Sequence, residues 1–169
     1  MPINFAKKKG KTDEWFTPKH AVKAIIPHIC EFGTVWCPFD DNKSEFIRQI
    51  RTSHSIISSH INDGEDFLTF MPSSPFECIV SNPPYSLRNE ILTRVFEIGK
   101  PFALLMNTNG LFDSSLRWDL FSKNSFTLFY LKGRVNYMKE PGESCQGSPP
   151  FQSAYICSGM FNEKIVFDI

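Results

Sequence analysis

Phe102-Ala103-Leu104-Leu105-Met106 is an unbroken apolar run that ends at Asn107. A strand with one face in water alternates apolar and polar residues, so a run apolar at every position needs cover on both faces. That demand points to a sheet covered by helices on both sides, and the other segments supply the pieces. Val22, Ile25, Ile26 and Ile29 fall at i, i+3, i+4 and i+7, the buried stripe of a helix. Thr17 as N-cap and Pro18 as first residue should start that helix, and Pro27 should end it. Residues 33–37 read as a short buried strand broken by Pro38-Phe39-Asp40-Asp41-Asn42, and residues 44–51 as a helix with Phe46, Ile47 and Ile50 inward. A second strand at 55–60 stops at Asn62-Asp63-Gly64, and a short element at 66–68 precedes a Pro/Ser-rich loop. Further strands follow at 76–80, 102–107 and 127–131, with helices at about 87–98, closed by Gly99, and near 114–122. Residues 153–157 and 164–167 look like a closing pair of strands. Five or six strands alternating with helices predict an α/β fold, a Rossmann-like, doubly wound, mostly parallel sheet with an antiparallel edge.

In such sheets ligands bind beyond the carboxyl ends of the strands, where the strand order reverses. Pro38–Asn42, His60–Asp66, Asn82–Tyr85 and 107–109 each follow a predicted strand, so they should converge on one edge. The most telling of them is Ser81-Asn82-Pro83-Pro84-Tyr85. Its prolines fix φ and remove two backbone donors, leaving a turn made mostly of acceptors. Asn82 offers a side-chain carbonyl, Pro83 a backbone carbonyl and Tyr85 a flat ring. Together they describe a seat for a planar group bearing an NH2, such as a nucleobase amine or a glutamine amide. The same letters also suit an ordinary strand-to-helix turn with Tyr85 packed on the surface.

A chain of 169 residues holds one domain with a real core, assigned to 13–169, behind a polar lead-in at 1–12. Seventeen phenylalanines suggest a core or groove rich in aromatic faces. Charge is uneven: residues 1–23 carry six lysines against Asp13 and Glu14, while 31–90 carry nine acids against four bases. The lysines at 7, 8, 9 and 11 form an arm able to touch phosphates or simply to stay solvated, and global charge does not announce a nucleic-acid binder. No apolar run approaches the ~20 residues of a membrane span, and the N-terminus has no signal-peptide core. The five cysteines contain no Cys-x-x-Cys pair and the four histidines lack ligand spacing. That pattern predicts neither a disulfide framework nor a metal site, and fits the cytoplasm. Residues 133–152 change composition, with three Pro and two Gly between 139 and 150, and read as a long loop.

Asp13-Glu14-Trp15-Phe16-Thr17-Pro18, Trp36-Cys37-Pro38-Phe39-Asp40, Asp66-Phe67 and Asn82-Pro83-Pro84-Tyr85, with the closing Pro150-Phe151-Gln152-Ser153-Ala154-Tyr155, occur in a characteristic order. In these residues the chain resembles the S-adenosylmethionine-dependent amino-group methyltransferases, and more narrowly the small phage and prophage Dam-like adenine-N6 DNA methyltransferases. The resemblance spans about 13 to 157 and implies the class I methyltransferase fold, S-adenosylmethionine as cofactor, and duplex DNA with a flipped adenine as partner, in a bacterial or phage-infected cell.

The resemblance also implies roles. Asn82, Pro83, Pro84 and Tyr85 would be catalytic, binding the amino hydrogens of the base and stacking on its ring. Base stacking on an aromatic ring contributes ~1–3 kcal/mol, against the few kcal/mol needed to flip a base. A second wall is therefore expected, from Tyr137 or Phe151. Trp15, Thr17, Pro18, Pro38, Phe39, Asp40, His60, Asp66 and Phe67 would line the cofactor pocket. Asp40 would meet the ammonium, Asp66 the adenine amino group and Phe67 the adenine ring. The chain departs from the family in two places: Cys37-Pro38-Phe39-Asp40-Asp41 replaces the usual glycine-rich turn, and His60 stands where an acid for the ribose is usual. Only 133–152 has the composition of a target-recognition element, so either that segment, a dimer or loose recognition must serve. An RNA-adenine or glutamine-amide methyltransferase, and a non-catalytic accessory protein of the same fold, are the alternatives.

Overall fold

The computed structural model describes residues 16–138 and 150–168. Trp15, the lysine arm, Cys145 and most of the proline-rich part of the predicted loop lie outside the described residues. The elements are α1 (Lys19–Ile25), β1 (Thr34–Cys37), α2 (Glu45–Ile50), β2 (Ser55–Ser58), β3 (Cys78–Ser81), α3 (Arg88–Ile98), β4 (Phe102–Asn107), α4 (Ser115–Lys123), β5 (Thr127–Tyr130), β6 (Ser153–Ser158) and β7 (Ile165–Phe167). They form one seven-stranded sheet in the order β2-β1-β3-β4-β6-β5-β7. Strands β2, β1, β3 and β4 pair in parallel, and β7 pairs in parallel with β5.

The α/β, mostly parallel architecture matches the expectation, with one difference in detail. The reversed strand is β6, and it lies inside the sheet, antiparallel to β4 on one side and β5 on the other. The two C-terminal strands do not pair with each other. All of β6 from Ser153 to Cys157 is buried, whereas β7 is largely exposed, so burial sends the apolar strand inward and the short one to the edge.

Alternation along each strand divides the core. Val35, Cys37, Cys78, Val80, Ala103, Leu105, Tyr155 and Cys157 face α1 and α2. Trp36, Ile79, Phe102, Leu104, Met106 and Ile156 face α3 and α4. Helices on both faces explain why β4 is apolar at every position from Phe102 to Met106.

Local signals mostly act where expected. Ile25 ends α1, and Ile26–His28 tighten into a 3-10 turn containing Pro27. Gly99 closes α3 with φ of 69°, a left-handed conformation open to glycine. The start of α1 is shifted: Pro18, in extended conformation, is the N-cap, not Thr17, and no side chain caps the helix. Thr17 and Pro18 instead turn inward and are buried, next to a bridge in which Phe16 and Met138 exchange backbone bonds of 2.7 and 2.9 Å. In place of the expected element at 66–68 there is a turn at 67–69. Among the described residues no helix is long and apolar enough to cross a membrane.

Candidate active site

The strand order reverses between β1 and β3: β2 lies outward of β1, and β4 outward of β3. Both strands end in turns rich in polar groups, and one buried contact joins those turns. Asp40, just past β1, accepts hydrogen bonds from the hydroxyls of Ser81, the last residue of β3, and Ser44, the N-cap of α2. Ser44 in turn accepts from the Phe46 amide at 3.1 Å. Asp40 is only 6% exposed, and burial pushes its carboxyl up to about 6, against the two hydroxyls that favour the ionised form. With both oxygens engaged, Asp40 is a strut between two strand ends. Each of its oxygens already accepts one hydroxyl, and a carboxylate oxygen can accept a second donor.

Asn82 follows Ser81 directly. Its Oδ1 is buried and accepts no hydrogen bond among the described residues. A buried acceptor without a donor costs ~1–3 kcal/mol, and native structures rarely leave one unexplained. Pro83 is buried and Pro84 half-buried, so the turn is rigid and contributes no amide from either proline. Tyr85 opens a 3-10 turn that runs straight into α3.

Tyr137 and Phe151 both reach Tyr85. The Tyr85 hydroxyl donates to Tyr137 Oη at 2.6 Å, and Tyr137 donates to Ser153 Oγ on β6 at 3.0 Å. Burial is the main cause raising the pKa of both phenols, so both stay protonated and able to donate. Phe151 stands perpendicular to Tyr85, with centroids 6.1 Å apart. Of the two candidate walls, Tyr137 is buried and holds the Tyr85 ring in place, while the half-buried Phe151 keeps part of its ring uncovered.

On the β2 side the aromatic residues form a cluster. Phe67 is 2% exposed and packs on Trp36 at 5.4 Å and Phe39 at 4.9 Å. Its ring is covered by core, while Phe39, half-buried in the same cluster, has the freer ring. Trp36 Nε1 donates to Ser59 Oγ at 2.9 Å, tying β1 to the end of β2. His60 caps the next turn, its Nδ1 accepting from the Asn62 amide at 3.2 Å. Asp66 is half-buried and accepts from the Leu68 amide through Oδ1 at 3.0 Å, with no bond to Oδ2 among the described residues. Pro38 is buried in the turn after β1. No group of His, Cys, Asp and Glu among the described residues has the arrangement of a metal site.

The loop after β4 completes the edge. Asn107 Oδ1 accepts from the Asn109 amide at 2.7 Å, and both the amide and hydroxyl of Thr108 donate to the Gln152 carbonyl, at 2.9 and 3.0 Å. Thus the four turns predicted to share an edge do so, as parallel β1–β4 require. Sequence reasoning missed Ser44, Ser81, Arg88 and Arg117. Arg88 carried a signal, since a cation in the first turn of a helix opposes the helix dipole. The serines carried none.

No protein-family model and no curated protein matches this chain. Among solved structures it is similar to the N-methyltransferase NodS from Bradyrhizobium japonicum WM9, at 9% identity and a TM-score of 0.44, over 82% of this chain and 91% of that one. It is also similar to a "putative methyltransferase" from Thermoplasma acidophilum, at 14% identity and a TM-score of 0.33, over 79% of this chain and 59% of that one. Likenesses this distant do not say what either protein's chemistry means for this chain.

Proposed function

We propose that this protein transfers a methyl group from S-adenosylmethionine to the exocyclic N6 of adenine in DNA. The observation that carries the reading is Asn82 Oδ1, a buried acceptor with no donor among the described residues, beside Tyr85 at the switch point of the sheet. An amino hydrogen of a base seated against Tyr85 would complete it. The Pro83 carbonyl, in a turn whose two prolines have no N–H, would take the second hydrogen. Two acceptors on one amine favour a more tetrahedral nitrogen whose lone pair points away from them, which is positioning and charge stabilisation together.

The residues present fit the cofactor in part. Asp66 keeps one carboxylate oxygen without a bond and Phe39 part of a ring, enough to hold an adenine by its amino group and its face. Bound there, S-adenosylmethionine supplies a methyl already activated by a sulfonium. The test is label transfer from cofactor tritiated in its methyl group to duplex DNA, RNA and protein in parallel. Label in DNA recovered as N6-methyladenine supports the reading. Label confined to RNA or to protein glutamine would replace the substrate, and no label on any acceptor would remove the activity.

A further inference from the structure

We infer that the cleft beside Tyr85 is an anion site, built around Arg88 and Arg117, that takes a phosphodiester of the strand carrying the acceptor base. It rests on the nucleic-acid reading above for the source of the anion. The cleft, about 270 Å³, is lined by Tyr85, Ser86, Arg88, Asn89, Glu90 and Arg117.

The hydrogen bonds of the two arginines show what is left over. Arg117 donates through Nε to the Leu111 carbonyl at 2.7 Å, through Nη2 to the Gly110 carbonyl at 2.8 Å, and through Nη1 to Asn89 Oδ1. Three of its five N–H groups thus brace the loop after β4 and fix Asn89. Arg88 uses only Nη1, which donates to the Asn109 carbonyl at 3.0 Å. Its Nε is buried without a partner, and Nη2 makes no bond among the described residues.

The charges are unbalanced in the same way. Arg88 and Arg117 are close enough that the second lowers the pKa of the first, in addition to burial. Neither forms an ion pair with an acid among the described residues, and the exposed Glu90 stays unpaired. Two guanidinium groups at one cleft, with an unused Nε–Nη2 edge on one of them, match a tetrahedral anion that accepts two parallel bonds. The carbonyls of Asn109, Gly110 and Leu111 accept from the two guanidinium groups and hold both cations in place. Arg88 lies three residues after Tyr85, so a nucleotide stacked on that ring has its own backbone within reach of the cleft.

Arg88→Gln and Arg88→Lys test this through DNA binding, without methyl transfer as the readout. Anisotropy of a fluorescein-labelled duplex, titrated from low to moderate salt, should show Arg88→Gln binding on the order of tenfold more weakly. The log–log salt slope should fall by about one, and Arg88→Lys should recover most of it. A duplex with neutral methylphosphonates flanking the acceptor adenine should bind wild type weakly and be indifferent to Arg88→Gln. Calorimetry with inorganic phosphate serves as the second arm: binding abolished by Arg88→Gln while DNA binding and slope stay unchanged would assign a free-anion site and overturn the phosphodiester. Equal DNA affinity and slope in wild type and Arg88→Gln would likewise overturn it. A protein that binds DNA with the Arg88-dependent slope yet labels no acceptor would retain this site and lose the methyltransferase reading.

Discussion

At Asn82 one carbonyl oxygen carries the proposed chemistry, so truncating it should separate turnover from cofactor binding. Asn82→Ala is expected to lower kcat by about 10²–10³, the scale of losing one preorganised polar contact in a transition state. The cofactor Kd by calorimetry should stay within about twofold. Asp66→Ala should do the reverse, raising that Kd first. Surviving turnover in Asn82→Ala would contradict the mechanism. Asp40 makes a separate prediction, about stability. Its pKa is raised from 3.8 to about 6, so as pH climbs through that window the unfolded chain releases its proton first and the folded state loses ground. The penalty is absent below pH 4 and complete above pH 6, reaching roughly 3 kcal/mol. Asp40→Asn lacks it. Denaturant unfolding of both proteins between pH 4 and 7 should show the stability difference moving in favour of Asp40→Asn as pH rises; a difference flat across that range would mean Asp40 titrates normally.

At the scale of elements, the aromatic group around Tyr85 couples three separate pieces of chain. The turn after β3 supplies Tyr85, the segment paired with Phe16 supplies Tyr137, and β6 supplies Ser153. Tyr137→Phe removes the middle of this chain, leaving the Tyr85 hydroxyl without its acceptor and the buried Ser153 without its donor. The expected cost is roughly 1–3 kcal/mol of stability, read from denaturant unfolding. In the proposed reaction, KM for DNA should rise while the cofactor Kd holds, because the ring that loosens is the one proposed to face the acceptor base. Unchanged stability and KM together would make the hydroxyl chain incidental.

For the whole molecule, the two hydrophobic layers share their strands residue by residue, Val35 and Cys37 facing one side and Trp36 the other. Neither layer has a boundary along which it could open alone. Near-UV and far-UV circular dichroism should therefore report one coincident thermal transition. Separated midpoints would show that one layer melts independently.

How far the chain could be read without its structure depends on the range of the interaction. Helix and strand positions were legible because they follow from local periodicity and punctuation: the stripe at 22–29, the apolar run at 102–106, and Gly99 in its left-handed cap. The common edge of the four polar turns was legible too, since parallel strands must carry their ends to the same side. What only the tertiary structure decided is how residues distant along the chain spend their hydrogen bonds. Asp40 and Ser81 are 41 residues apart, and their contact ties the ends of two strands together. Phe67 looked available until Trp36 and Phe39 covered it. β6 went inside the sheet because burying five consecutive residues outweighs pairing with its neighbour in sequence. Asn82-Pro83-Pro84-Tyr85 was recognisable as an acceptor-rich turn from four letters. That its amide oxygen is buried and without a donor among the described residues depends on everything packed around it, which no local pattern encodes.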